Sequence, residues 1–337
     1  MTQAPAAERL DTTRLQGLAL AYQQSAALMA AVELDLFTAV SQGAGTIAAI
    51  AAKIGIAPRQ AERLVTVLTA MTLLAKKGEI YVNAPDVERF LVKGGARYAG
   101  PWILFTKPRW NGWGDLANRL RAKQEHKLGI YEDFSVEDAR KYHEATHSIG
   151  MGAARRFCRQ VDLTGKKLLL DLGGGSGAYS IVATQSFPGL KAIVLDLPPV
   201  VEVTKEFLAQ NNASDRVSTL AGDFTVTEFP KDVDVVLMAS NLPQYSPELI
   251  RLVVAKAFAA LKPGGEMHLV GEALNDQRTG PLSAALWGLN EAIWGSTGVA
   301  HSEADCKNYF REAGFSEIGV AEFIPGVLSR IHGKKAI

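Results

Sequence analysis

Three observations in the 337-residue sequence predict an α/β fold in which a doubly wound, mostly parallel sheet follows a mostly helical domain. Up to about residue 164, apolar residues recur at i, i+3 and i+4, the period of helices that bury one face. From residue 165 onward, short apolar runs alternate with helical segments, and buried strands separated by helices build a parallel sheet covered on both sides. A glycine-rich turn, "DLGGGSGAYS", closes the first of those runs. Open sheets bind ligands at that end of a strand.

"LQGLALAYQQSAALMAAVELDLFTAV" has helical spacing and stops at Gly43 and Gly45. "TIAAIAAKIGIAPRQAERLVTVLTAMTLLAKKGEIYVN" reads as a short helix, a turn at Gly55 to Pro58, a longer helix and a hairpin around Gly78. That is a winged helix-turn-helix pattern. Its second helix offers only Arg59 and Arg63, with Glu62 between them and "LVTVLTAM" after, which favours packing or dimerisation over DNA binding. We assign residues 1–100 to this domain and 101–164 to a helical linker and substrate-side helices. The ligand-binding sheet takes 165–337. Its strands are "KKLLLDLG", "KAIVLDLP", "VSTLAGDF", "VDVVLMAS" and "EMHLVGEAL", with "AYSIVATQSF", "VVEVTKEFLAQNN" and "PELIRLVVAKAFAALKPGG" as helices between them.

Charge and cysteine usage exclude several classes. Lys plus Arg (36) balance Asp plus Glu (35), so no field favours nucleic acid or an anionic membrane. Cys158 and Cys306 form neither a disulfide framework nor a CxxC site, which fits a reducing cytoplasm. "MTQAPAAERLDTTRLQ" has no signal-peptide pattern, and Gln23, Gln24, Glu33 and Asp35 interrupt the apolar stretch after it. A cytoplasmic protein without a membrane span is expected.

His143, Glu144 and His147 in "YHEATHSIG" match H-E-x-x-H, which on a helix places two imidazoles one turn apart, as zinc proteases do. A zinc protease needs a third ligand and its own fold. Here the motif lies one helix before a nucleotide-type sheet, so the residues read as pocket lining, with no metal.

In the glycine loop, Gly173, Gly175 and Gly177 stand at alternate positions. A strict dinucleotide fingerprint would need glycine where Ala178 stands, leaving only its relaxed form. Asp171 before the loop suits a ligand with a cationic end. Together with Asp196 at the end of "VLDLP" and "GDF" at 222–224, the loop resembles the signature of class I S-adenosylmethionine-dependent methyltransferases, whose sheet is Rossmann-like. The resemblance implies S-adenosyl-L-methionine as cofactor. Its site would comprise Asp171, Gly173, Gly175, Gly177, Asp196, Leu197, Gly222, Asp223, Phe224 and Ser240. Asp196 would meet the ribose hydroxyls and Asp223 the adenine amino group, with Phe224 packed on the ring.

The helical first domain, "YHEATHSIGM", "LDLPPVV" and "LKPGG" narrow the resemblance to the plant caffeate and hydroxyindole O-methyltransferase family and its bacterial relatives. This implies a homodimer, a small-molecule acceptor, and a helix from Tyr142 to Met151 beside the transferred methyl group. One part of the family pattern is broken. The general-base His falls at Pro243, with Ala239, Gln244 and Tyr245 at the neighbouring signature positions. The first of the two acidic positions that orient the base survives as Glu272. The second falls at about Ala300, unless Glu303 or Asp305 has shifted there.

A base is needed only when the nucleophile carries a proton. Its loss points to a thioether sulfur, methylated by proximity and exclusion of water, with Trp110, Trp113, Tyr142, Trp287 and Trp294 available as aromatic faces. In this the chain resembles the bacterial methylthiohydroxybutyrate S-methyltransferases of dimethylsulfoniopropionate (DMSP) synthesis. Candidate acceptor-positioning residues are Arg109, Trp113, Tyr142, His143, His147, Gln244, Asn290 and Trp294. The alternatives are an O-methyltransferase with its base moved to His143, His147 or His301, a C-methyltransferase of a planar pigment, and a cofactor-binding regulator.

Overall fold

The protein is described by a computed structural model over residues 10–122 and 126–337. It forms two units, Met1–Lys107 and Pro108–Ile337.

In the first unit α1 (Thr13–Glu33), α2 (Leu36–Ser41), α3 (Ile47–Ile54) and α4 (Pro58–Ala70) precede a hairpin of β1 (Leu74–Lys77) and β2 (Ile80–Asn83), then α5 (Pro85–Phe90) and α6 (Gly100–Leu104). The Thr46 hydroxyl caps α3 by accepting from the Ala49 amide, and Gly55 ends it in the left-handed region at φ 71°. Pro58 then starts α4, where its missing N–H is no loss. The hairpin expected around Gly78 forms with Leu74 opposite Asn83. Its core gathers Leu36, Phe37, Ile50, Val65, Leu68 and Leu74. Residues 10–25, by contrast, are exposed along their whole length in this chain.

The second unit begins with α7 (Trp110–Gly114), α8 (Leu116–Arg119) and the long α9 (Val136–Gln160). Ser135 and Asp138 form a reciprocal capping box that fixes where α9 starts. The sheet then follows as β3 (Leu168–Leu172), α10 (Ala178–Ser186), β4 (Lys191–Asp196), α11 (Pro198–Gln210), β5 (Val217–Ala221), β6 (Val233–Ala239), α12 (Pro247–Ala260) and β7 (Leu261–Gly271). Short strands β8 (Ala273–Leu274) and β9 (His301–Ser302) flank α13 (Leu282–Trp294), and the chain closes with α14 (Glu303–Ala313), β10 (Ser316–Ile324) and β11 (Leu328–Lys334).

The seven-stranded order is β10-β11-β7-β6-β3-β4-β5. β3 to β7 run parallel, as the alternation predicts, whereas β11 pairs antiparallel with both β7 and β10. The terminal hairpin was not among the strands read from the sequence. Leu169, Leu170, Leu172, Val194, Val235, Val236 and Leu237 are fully buried, which explains why these strands read as continuous apolar runs rather than alternating ones. Strand order reverses between β3 and β6, so the crevice beyond their carboxyl ends is the switch point where such sheets take ligands.

Candidate active site

At the switch point the backbone is shaped before any side chain acts. Gly173, Gly175 and Gly177 all sit in the left-handed region, at φ 62°, 57° and 73°. A Cβ on Gly173 would stand 2.7 Å from Asn241 Nδ2, and one on Gly175 2.5 Å from His143 Cε1. Only glycine meets both demands. The loop is then pinned from three sides. The Gly175 amide donates to Asp196 Oδ2 at 2.8 Å, its carbonyl accepts from the Thr204 hydroxyl at 2.6 Å, and Asn241 Nδ2 donates to the carbonyls of Ala239, Leu172 and Gly173 at 3.0, 3.2 and 3.3 Å.

The acidic residues at the strand ends converge on this loop. Asp196 Oδ1 accepts from the Leu197 amide at 2.8 Å, so both its oxygens are oriented by backbone. Its carbonyl accepts from the Gly222 amide at 2.8 Å, which ties the end of β4 to the end of β5. Asp171 is buried beneath the loop and accepts from the Ser180 hydroxyl at 2.7 Å, while its Oδ1 has no hydrogen-bond partner. Burial pushes Asp171 up to about 7 and Asp196 up to about 6. A cationic ligand would favour their ionised forms. Left-handed glycines, an orphaned buried carboxylate oxygen and two oriented carboxylates fit S-adenosylmethionine, with its sulfonium and ribose hydroxyls.

On the adenine side, Asp223 and Phe224 have partners within the protein. Asp223 Oδ1 accepts from both the amide and the hydroxyl of Thr225, and Oδ2 pairs with Lys127 at 2.8 Å. Phe224 is buried, with its ring centroid 5.1 Å from that of Tyr245 and its edge 3.1 Å from where a Gly173 Cβ would lie. It backs the loop and packs into the core. Ser240 holds a left-handed φ of 61° at the end of β6, its amide bonded to the Val270 carbonyl.

His143 and His147 project from α9 onto the glycine loop. His143 lies over Gly175, and burial, then the nearby His147, lowers it to about 4. His147 Nδ1 shares a 2.8 Å hydrogen bond with the Ser176 hydroxyl, and its ring stacks on Phe207 at 4.4 Å. Glu144 faces solvent, opposite to what a zinc protease requires. Among the described residues no group of three or more His, Cys, Asp or Glu side chains is gathered as a metal site.

A second cluster lies beside the loop. Tyr131 is edge-on to Phe134, Tyr142 and Trp294 at centroid distances of 5.1, 6.0 and 5.7 Å. Its hydroxyl donates to that of Tyr142 at 3.1 Å and accepts from Gln244 at 3.4 Å. The Arg109 guanidinium lies 4.7 Å from the Trp294 ring, and Trp287 meets the same ring edge-on at 6.4 Å. Trp113, half-buried on α7, takes no part in these ring contacts. Asn290 and Glu291 sit in the same stretch of α13, both buried. Burial pushes the carboxyls of Glu291 and of Glu272, which follows β7, up to about 7.

The residues of the broken base motif are also resolved. Pro243 is buried in a short 3-10 turn. His301 Nε2 donates to the Tyr245 carbonyl at 2.9 Å and its Nδ1 accepts from the Tyr309 hydroxyl at 3.0 Å, so neither ring nitrogen is left for a substrate proton. Asp305 caps α14 with Ser302 and pairs with Arg278, while Glu303 accepts from Ser329. Neither is turned toward a base. Sequence spacing alone does not mark Tyr131, Phe134, Asn241 and Glu291. "GIYEDF" before the capping box, and the Glu beside Asn290 in "WGLNEAIW", were the available signals.

This arrangement can be set against known proteins. The model of the O-methyltransferase domain matches residues 113–316, and that of the O-methyltransferase dimerisation domain matches 16–93. The chain belongs to the O-methyltransferase family. It is a methyltransferase that uses S-adenosyl-L-methionine, built on the Rossmann-like fold with a helical dimerisation domain before it. Among curated relatives, the 3-hydroxy-5-methyl-1-naphthoate 3-O-methyltransferase of Streptomyces sahachiroi is 29% identical over 96% of this chain and 95% of its own. The L-tyrosine C(3)-methyltransferase of Streptomyces lavendulae is also 29% identical, over 86% and 82%. Human N-acetylserotonin methyltransferase, solved with S-adenosylmethionine, shares the fold at a TM-score of 0.83, with 22% identity over 99% of this chain and all of its own. Members that resemble this methyltransferase thus carry names for both oxygen and carbon acceptors. Among the described residues no helix is long and apolar enough to cross a membrane.

Proposed function

We propose that this methyltransferase methylates the thioether sulfur of a small hydroxy acid, with 4-methylthio-2-hydroxybutyrate, the precursor in DMSP synthesis, as the acceptor. The observation that carries the reading is the absence of a usable imidazole where the family pattern places its base. Pro243 stands there, His301 is tied at both nitrogens, and His143 and His147 face the glycine loop. The bound cofactor supplies a methyl group already activated by a sulfonium. Displacement moves that methyl to the acceptor sulfur, breaks the cofactor's carbon–sulfur bond and leaves the positive charge on the acceptor. No proton moves. The chain's task is then to align the partners and exclude water, which the left-handed loop and the cage of Tyr131, Phe134, Tyr142 and Trp294 suit. Aromatic faces favour a developing sulfonium by cation-π attraction. Asp171, Gly173, Gly175, Gly177, Asp196, Leu197, Gly222, Asp223, Phe224 and Ser240 would border the cofactor, with Arg109, Tyr142, Gln244, Asn290 and Trp294 on the acceptor side.

A second reading has one observation in its favour. Glu291 is buried beside the aromatic cluster, its Oε1 has no partner, and its carboxyl stands at about 7, so it would suit a general base for a hydroxyl acceptor. Purified enzyme offered S-adenosylmethionine with thioether, phenol and pigment acceptors separates the two. Under the thioether reading, only the thioether gains a methyl group and a fixed positive charge by mass spectrometry, and kcat stays flat between pH 6 and 8. A phenol product, with kcat rising through about 7, would transfer the assignment to O-methylation.

We also propose that the enzyme acts as a homodimer through its first unit. Its dimerisation-domain match and the exposed Leu15, Leu18 and Leu20 of α1 support that assembly. A monomer in light scattering at micromolar concentration would refute it.

A further inference from the structure

One turn of α13 carries three buried polar atoms that have no hydrogen-bond partner: Asn290 Nδ2, Glu291 Oε1 and Trp294 Nε1. Their residues are 7%, 1% and 5% exposed. Native interiors leave few such groups unmatched, because each forfeits its bonds to water, and three within one helical turn call for a common explanation. The explanation must match their chemistry. Trp294 Nε1 can only donate, the Asn290 amide nitrogen donates, and Glu291 Oε1 accepts, its other oxygen already taking the Ser296 hydroxyl at 2.5 Å. The Arg109 guanidinium, 4.7 Å from the Trp294 ring and close enough to act on the Glu291 carboxyl, adds a cation beside this turn.

We infer that this turn reads an α-hydroxycarboxylate: Asn290 and Trp294 donate to the carboxylate near Arg109, and Glu291 accepts from the adjacent hydroxyl. The inference rests on the proposed acceptor and identifies which of its groups the enzyme discriminates. Donor count separates the hydroxyl from the obvious rival, an α-ammonium. One unpartnered acceptor atom satisfies one O–H, whereas an ammonium brings three N–H groups, and two would remain unmatched in a buried site. The ammonium would also set a second cation beside the sulfonium formed in the transfer. Glu291 is thus a specificity-determining residue, distinct from the aromatic cage that faces the sulfur.

The test uses ligands without sulfur, so that binding is read apart from methyl transfer. Full-length enzyme saturated with S-adenosylhomocysteine is titrated calorimetrically with 2-hydroxyhexanoate, hexanoate and norleucine, which share a carbon skeleton matching the proposed acceptor with carbon in place of sulfur. Wild type should bind 2-hydroxyhexanoate roughly 10- to 100-fold more tightly than hexanoate, the factor that one unmatched buried acceptor implies. Glu291→Leu should abolish that ratio. Trp294→Phe, which removes only the indole N–H, should weaken both ligands by a similar factor and keep the ratio. Equal binding of the hydroxy and deoxy acids by wild type overturns the inference, and so does norleucine binding most tightly or a folded Glu291→Leu enzyme that still discriminates. If Glu291→Leu fails to fold, the wild-type series and Trp294→Phe still decide. A preserved ratio without methylation of any thioether would overturn the proposed reaction alone. Thioether methylation without the ratio would overturn this inference alone.

Discussion

Replacing Gly175 by Ala tests how the glycine loop and the HEATH helix are coupled. The change imposes two penalties of separate origin. A Cβ in the left-handed region costs roughly 1–2 kcal/mol at φ 57°. The same Cβ would lie 2.5 Å from His143 Cε1, and overpacking a buried neighbour costs about 1–3 kcal/mol more. The single variant should therefore lose about 2–5 kcal/mol of stability. His143→Ala removes the obstacle but not the backbone strain. Combined with it, Gly175→Ala should cost only the first term, so the two substitutions should couple favourably by about 1–3 kcal/mol. Urea unfolding of the four proteins at one fixed concentration, read by midpoint and slope, measures the cycle. Costs that add within about 0.5 kcal/mol would show that His143 does not press on the loop, and would refute the packing argued for both residues.

Other outcomes follow from the same geometry. Asn241→Ala strips the donor shared by the Ala239, Leu172 and Gly173 carbonyls, so S-adenosylmethionine affinity by calorimetry should fall by about 1–3 kcal/mol; an unchanged affinity would refute its role in shaping the loop. His301→Phe breaks two buried hydrogen bonds and should lower stability by roughly 2–4 kcal/mol while leaving the pH dependence of kcat unaltered, whereas a base would alter it. Burial raises Asp171, Glu272 and Glu291 to about 7, so the stability of their neutral forms is fully present below their unfolded pKa values near 4 and lost as pH rises through about 7. Tm of cofactor-free enzyme should fall over that window, with Glu272→Gln flattening part of the fall; a Tm that rises with pH there would contradict the assignment.

The parallel strands β3 to β7 were legible because burial on both faces writes itself as continuous apolar sequence, and the loop because three alternate glycines have little other reason to follow such a strand. β10 and β11 were not. In β10, exposed and half-buried residues fall in consecutive blocks around register shifts after Ser316 and Glu322, which erases the alternation that marks a strand. In the site, a motif bound to backbone geometry could be read, but a constellation assembled from distant segments could not. Tyr131 and Trp294 are 163 positions apart and meet at 5.7 Å only because α13 and the segment before α9 fold together. HEATH shows the opposite failure. Its spacing does put both imidazoles on one face of α9, but that face meets Gly175 and Ser176, and only the tertiary contact tells packing from metal binding.

The two halves of the site treat charge in a common way. Asp171 and Asp196 lie under the glycine loop, Glu272 and Glu291 beside the aromatic cluster, and burial raises all four carboxyls. Without a cation nearby, the neutral form of each is the cheaper one, since an isolated buried carboxylate has lost its water. A sulfonium changes that balance at whichever half it occupies, because an opposite charge within a few ångströms favours ionisation. On the proposed reaction, transfer of the methyl group would move the sulfonium from one half to the other. Carboxyls that rest neutral leave the departing cation loosely held, whereas a permanently ionised pair would hold it more tightly at its starting place and raise the cost of leaving it, and no proton need move in the transfer itself. On the proposed reaction, this accounts for buried acids at both ends of the transfer where no base is required.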